Sequence, residues 1–278
     1  MSTRRFLGAG LPGVDPSALQ GMLFVIEGPD GSGRSTQIRL WTDWLESRGH
    51  AVTMVGLRRS NLVAKELSDA KQGHILDRTT MSLFYATDFA DQLEHTMIPA
   101  LRAGHIVLAD RYVYTLMARD ICRGTDRAWL ESLYGMALVP DTVFYLKVRP
   151  PALAERSLEK YGSLDFWESG MDLGLAPDRY DSFLKYQTLL QQQFARMQQQ
   201  HAFVIVNGNR TVRAVAAELR RLLEPIVQEG MGHGSATVGF EGRAEDAGAE
   251  KKTKRERSRR DKVRATHANT PGSPGGPQ

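Results

Sequence analysis

Residues 28–36 read Gly28-Pro29-Asp30-Gly31-Ser32-Gly33-Arg34-Ser35-Thr36, which places glycines, a cation and hydroxyls within one short stretch. Those residue types suit the binding of phosphate. Glycines let successive backbone N–H groups converge on an anion, and the start of a following helix adds its positive dipole end. The pattern is the phosphate-loop spacing G-x-x-x-x-G-K-[ST], with Arg34 standing where the lysine is usual and Ser35 supplying the hydroxyl. On this reading Gly28 to Thr36 cradle the phosphates of a nucleoside triphosphate. A second stretch with chemical potential is Asp110-Arg111-Tyr112, a carboxylate and a guanidinium side by side. Taken alone, that tripeptide is equally a surface ion pair.

A phosphate loop needs a strand before it and a helix after it. Met22 to Ile26 is an unbroken apolar run, and Ile38, Leu40, Trp41, Trp44 and Leu45 follow at helical spacing to about Arg48. Further along, Ala51–Val55, His105–Ala109, Thr142–Val148 and Ala202–Val206 read as four more strands. His105–Ala109 is almost wholly apolar, as a strand buried on both faces should be. It carries Asp110 at its carboxyl end, where open α/β sheets bind ligands. Between the strands, helices are expected over Asn61–Lys71, Thr79–Leu101, Tyr114–Ile121, Asp126–Leu138, Pro151–Lys160, Asp178–Gln200 and Val212–Val227. In the long Thr79–Leu101 pattern the apolar residues form one face, with Asp88, Asp91 and Glu94 as charged positions. This alternation implies a three-layer α/β fold with a five-stranded parallel sheet. Tyr161 to Pro177 has no convincing period and reads as a connector.

Composition narrows the class. With 41% hydrophobic and 24% charged residues among 278, the chain has ample material for a core. No apolar run approaches the ~20 residues that cross a bilayer, and the first twenty residues lack the apolar stretch of a secretory signal. A single cysteine, Cys122, rules out an internal disulfide and fits a cytoplasmic location. The net charge of +4 is concentrated: residues 228–278 hold ten Lys/Arg and seven Asp/Glu, which leaves +1 for the rest. Nucleic-acid binding by the main body therefore has no support in the charge. Three parts are expected: an extension over 1–20, a domain over 21–227, and a disordered basic tail over 228–278. The tail is a solvated extension or a weak binder of polyanions.

Taken together, Glu27-Gly28-Pro29-Asp30-Gly31-Ser32-Gly33 running into Arg34-Ser35-Thr36-Gln37, the helix with Leu83-Phe84-Tyr85-Ala86, Asp110-Arg111-Tyr112, and the later Asp178-Arg179-Tyr180-Asp181 resemble the thymidylate kinases. The resemblance covers roughly residues 22–227. It implies a P-loop NTPase fold with a lid segment, and transfer of a phosphoryl group from ATP to dTMP with Mg²⁺. It further implies that Ser35 and Asp110 hold the metal, that Arg34, Asp110, Arg111 and Arg156 serve the transfer, and that the protein is a homodimer. On the acceptor side it points to Asp30, Tyr85, Phe89, Arg111 and Thr115.

The chain also departs from that family. Phe89 stands where an arginine reads the base, so it either lines the acceptor site or packs in the core. Thr115, Leu116 and Arg119 replace a serine, an amide and a tyrosine. The Arg-Glu-Pro-Gly-Gly-Thr loop after the second strand is missing, with Arg58 and Arg59 its nearest substitutes. The connector has no Lys or Arg but carries Asp165, Glu168 and Asp172. Arg156 is then the best basic residue for the lid, and Trp167 is placed to exclude water. Three outcomes fit these residues: a dTMP kinase, the same fold acting on another nucleotide or phosphorylated acceptor, or a catalytically weak ATP-binding protein.

Overall fold

The computed structural model describes residues 5–73 and 76–232. Five parallel strands stand in the order β2-β3-β1-β4-β5. They are β1 (Met22–Glu27), β2 (Val52–Gly56), β3 (Ile106–Asp110), β4 (Thr142–Lys147) and β5 (Val204–Asn207). The central strand β1 is buried along its whole length, which explains its continuous apolar run. Alternate residues feed two cores. Leu23 and Val25 join the larger core with Val113, Leu130 and Tyr186, while Phe24 and Ile26 join the smaller one with Ile38, Trp41 and Leu219. The register pairs Ile26 with Asp110 and Glu27 with Tyr145. The carboxyl ends of β1, β3 and β4 therefore meet on one side of the sheet.

The helices are α1 (Arg34–Glu46), α2 (Ala64–Gly73), α3 (Arg78–Gln92), α4 (Ile98–Arg102), α5 (Val113–Cys122), α6 (Arg127–Leu133), α7 (Pro150–Tyr161), α8 (Arg179–His201) and α9 (Val212–Gly232). The long helix expected over Thr79–Leu101 is interrupted by a π turn at Leu93–Met97. Pro99 explains it: it has no N–H for the carbonyl four residues back and its ring crowds that carbonyl, so the turn before it widens. The helix expected over Asp126–Leu138 stops at Leu133. Beyond it Gly135 lies so close to Gly8 that a Cβ on Gly8 would come within 2.8 Å of the Gly135 Cα.

That contact is part of a seam along the N-terminal extension. Phe6 forms an antiparallel bridge with Leu138. The Leu7 amide donates to Ala137 O (2.8 Å), and the Gly8 amide to Gly135 O (2.8 Å). Phe6, Leu7, Leu11 and Val14 pack on the larger core. The described part of the extension, from residue 5, is thus seated on the domain. The basic run at 251–264 lies outside the described residues. Among the described residues no helix is long and apolar enough to cross a membrane.

Candidate active site

The phosphate loop joins β1 to α1 through glycines in positive-φ conformations, Gly28 at 149°, Gly31 at 80° and Gly33 at 93°. A side chain at Gly28 would meet Ser32 Oγ at 2.8 Å and Leu146 O at 3.0 Å, so only glycine lets the loop close here. Ser35 Oγ donates to Asp110 Oδ2 at 3.1 Å. A hydroxyl beside a carboxylate at the strand ends is a hard oxygen donor pair, and its chemistry fits Mg²⁺. The glycine cradle fits a polyphosphate.

Arg34 does not point out of this cradle. Its guanidinium donates to the carbonyls of Gly28 and Pro29 (2.6 Å to Pro29), and its Nε to Asp110 Oδ1 at 2.9 Å. The side chain is 8% exposed. Burial alone would lower the Arg34 pKa, but the Asp110 and Asp30 carboxylates outweigh it and raise the value. The residue in the lysine position therefore ties the loop from beneath. Asp110 is held below its ordinary pKa in turn, because the Arg34 charge and hydrogen bond overcome its burial.

β3 ends in strain. Arg111, next after Asp110, has φ of 70°, a conformation that costs a side-chain-bearing residue about 1–3 kcal/mol. Its amide donates to Ile26 O at 3.0 Å, and the next amide, of Tyr112, donates to Glu27 Oε1 at 3.0 Å. These two bonds hold the turn and aim the guanidinium inward. Arg111 Nη2 bonds Asp30 Oδ1 at 2.6 Å, whereas its Nε is buried without a hydrogen-bond partner. A cavity of about 170 Å³ opens here, and its walls include Asp30, Arg58, Arg59, Asp110, Arg111 and Arg119. With Arg34 and Glu168 also lining it, five arginines face three carboxylates. Such a wall attracts a dianion such as a phosphate monoester. Burial would raise the Asp30 pKa, but Arg111, Arg34 and Arg119 hold it well below the usual carboxylate range.

The other acceptor candidates divide. Tyr85 lines this cavity and an adjoining one of about 210 Å³ bounded also by Leu116, Arg119, Asp120, Trp167 and Tyr186. Phe89 does not reach either. It is 5% exposed and packs edge-on against Tyr112, with centroids 5.2 Å apart. Its phenyl ring sits in the larger core, where a cation would be stranded, and the base-contacting expectation for it is withdrawn. Thr115 is also turned away: its hydroxyl and amide both donate to the buried Glu27 carboxylate. Burial outweighs those bonds and raises the Glu27 pKa. Thr115 thus fixes the start of α5 rather than facing a ligand.

Arg156 lies on α7 and reaches the phosphate loop, donating to Gly31 O at 3.2 Å and to Gly208 O at 3.0 Å. The acidic connector is accounted for by two arginines that the sequence analysis did not pair with it. Arg119 on α5 and Arg123, which caps its C-terminal end, grip Glu168 and Asp172: Arg119 Nη2 bonds Glu168 Oε1, and Arg123 holds both Asp172 oxygens at 2.9 and 3.1 Å. Gln187 Nε2 adds a bond to Glu168 O at 2.9 Å. The equal spacing of the two arginines and the two acids, four residues each, was a signal in the sequence. Asp88, a charged position on the amphipathic helix pattern, is wholly buried.

Comparison with known proteins agrees with this geometry. A family model described as thymidylate kinase matches residues 26–170. The chain is 35% identical over 207 residues to a probable thymidylate kinase 2 of Saccharolobus solfataricus, covering 74% of this chain and 96% of that protein. It is 30% identical over 221 residues to a thymidylate kinase of Gloeobacter violaceus, covering 75% and 97%. To a thymidylate kinase of Ruegeria pomeroyi it is 29% identical over 209 residues, covering 73% and 94%. A phosphate loop abutting an arginine-lined cavity, in a chain that aligns with nearly the full length of these relatives over about three quarters of its own, has one consistent assignment: the protein belongs to the thymidylate kinase family.

Proposed function

We infer that the protein phosphorylates dTMP to dTDP with ATP as donor. The observation that carries this reading is that the phosphate cradle and the arginine-lined cavity share Asp30, Arg34 and Asp110. Two phosphate sites joined at a common edge can hold a donor and an acceptor phosphate in line, which is most of what phosphoryl transfer asks of a protein.

The roles follow from position. Loop amides from Gly31 to Thr36 would hold the donor phosphates, with Gly28 shaping the turn. Ser35 and Asp110 would hold Mg²⁺, which when bound neutralises charge on the donor phosphates. Arg111, with an unpaired buried Nε, would take the acceptor phosphate and exchange its bond to Asp30 for it. Asp30 then becomes free to accept a hydrogen bond from the acceptor. Tyr85 would lie along the base in the adjoining cavity. Arg156, bonded to Gly31 O, stands at the donor side, where it would add positive charge. Arg34 keeps the loop in shape. In place of a basic lid, Trp167 and Glu168 cover the acceptor side and keep water from the transferred group.

A coupled assay of the purified protein with ATP, Mg²⁺ and a panel of nucleoside monophosphates tests this. Turnover on dTMP well above the other acceptors is expected. Greater turnover on another monophosphate, or ATP binding with no acceptor consumed, would overturn the reading.

A further inference from the structure

The loop after β2 belongs to no helix or strand, yet it brings Arg58 and Arg59 to the anion cavity. Arg59 Nη2 lies 4.0 Å from Asp110 Oδ2. Arg58 has φ of 59°, a second strained position beside the site. An irregular segment with a strained residue needs something to hold it. The holder is α3. Asp88 Oδ2 accepts from the Arg58 amide at 2.7 Å, and Asp88 Oδ1 from the Ser60 amide at 2.9 Å. Gln92 bridges the same two elements: its Nε2 donates to Asp88 Oδ2 at 3.1 Å, and its Oε1 accepts from the Gly56 amide at 3.1 Å. Ser60 Oγ donates to Asp91 Oδ2 at 2.5 Å.

The energetics run one way. Asp88 is 0% exposed, and a buried carboxylate is costly unless donors meet it. Those donors include the loop amides themselves. The loop cannot swing out without stranding the charge, and Arg58 cannot relax its backbone without losing the shortest of the bonds to Asp88. We propose that Asp88 is a positioning residue for the reaction: through the amides of residues 58–60 it sets the two guanidiniums, Arg58 and Arg59, that meet the acceptor phosphate. The loop substitutes for the family segment that this chain lacks, and Asp88 supplies the rigidity. The proposal rests on the acceptor cavity assigned above.

The test is Asp88→Asn, which keeps the shape but turns an NH₂ toward an amide donor. The KM for dTMP should rise roughly tenfold while kcat stays within about twofold and the KM for ATP is unmoved. In an Arg58→Ala/Arg59→Ala background the same change should add no more than about twofold, because its effect acts through those side chains. An equal factor in both backgrounds, an unchanged KM for dTMP, or a fall in kcat with both KM values intact would overturn the proposal. If Asp88→Asn fails to fold, Gln92→Met removes the group that orients Asp88 and should give the same pattern at smaller size; its absence there counts equally against the idea. If the wild-type protein does not turn over dTMP, the dTMP reading falls separately. Asp88 is then judged by affinity for inorganic phosphate and by amide hydrogen exchange at residues 58–60. Weaker phosphate binding with faster exchange supports it, and no change in either refutes it.

Discussion

The two sides of the anion cavity are built from the same materials, arginine and carboxylate, and use them in opposite ways. At the phosphate loop Arg34 bends back on its own segment, bonding carbonyls five and six residues away. At the C-terminal end of α5, Arg119 and Arg123 reach outward to acids 49 residues further along the chain. Arg34 holds a loop in shape, while the α5 pair holds a separate segment in place. What a guanidinium does is decided by which acceptors the backbone leaves open near it. A tight glycine turn leaves carbonyls unpaired, and an irregular connector leaves acids to be claimed.

If that contrast is right, the largest effect belongs to Arg34→Ala. Removing the fork leaves Asp110 Oδ1 and two carbonyls without the Arg34 donor at a site 8% exposed, a loss of about 3 kcal/mol. Turnover should drop by roughly a hundredfold or more, since loop amides and Asp110 both lose their placement. Arg34→Lys keeps the charge but cannot span Asp110, Gly28 O and Pro29 O together. It should fall between the two in urea unfolding and in kcat. A lysine variant equal to wild type in both would show that the fork is incidental.

The connector offers the milder perturbation. Arg123→Met removes the bonds to both Asp172 oxygens, to Tyr186 Oη at 2.6 Å and to Trp167 O at 3.2 Å, all on the acceptor side. The expected result is a KM for dTMP raised about tenfold with the KM for ATP unchanged. Limited proteolysis should cleave the variant faster between residues 161 and 177. Stability should fall by less than in Arg34→Ala. A matching rise in the KM for ATP would mean that the connector serves the donor side.

The same contrast explains what could be read in the sequence. The sheet, the phosphate loop and the strand-end Asp110 depend on local patterns, such as an apolar run before glycines, and those were legible. Phe89 and Thr115 were not, because their fate was settled by Tyr112 and Glu27, partners 23 and 88 positions away in the chain. Asp88 was the hardest. A carboxylate on an amphipathic helix looks solvated until the loop that covers it is placed. Pro99 was a local signal too, yet the expectation of one unbroken helix over Thr79–Leu101 passed over it and missed the widened turn.

The smallest expected effect separates two carboxylates three residues apart. Asp30 has a folded pKa below its ordinary value, so its stabilising contribution is complete above the unfolded value of ~3.9 and is lost as the pH falls through the folded one. Glu27 has a folded pKa above its ordinary value, so its contribution is greatest in acid and declines as the pH rises through the interval between the two values. Urea unfolding of wild type, Asp30→Asn and Glu27→Gln at several pH values from 7 to 3 should therefore give gaps of opposite slope. The advantage of wild type over Asp30→Asn is about 1 kcal/mol near neutrality, reduced by solvent at a side chain 42% exposed, and it shrinks as the pH falls. The difference between wild type and Glu27→Gln moves the other way, in favour of wild type toward low pH. Parallel slopes for the two variants would mean that one of these carboxylates is not held in the environment described, either Asp30 by its arginine wall or Glu27 by its burial.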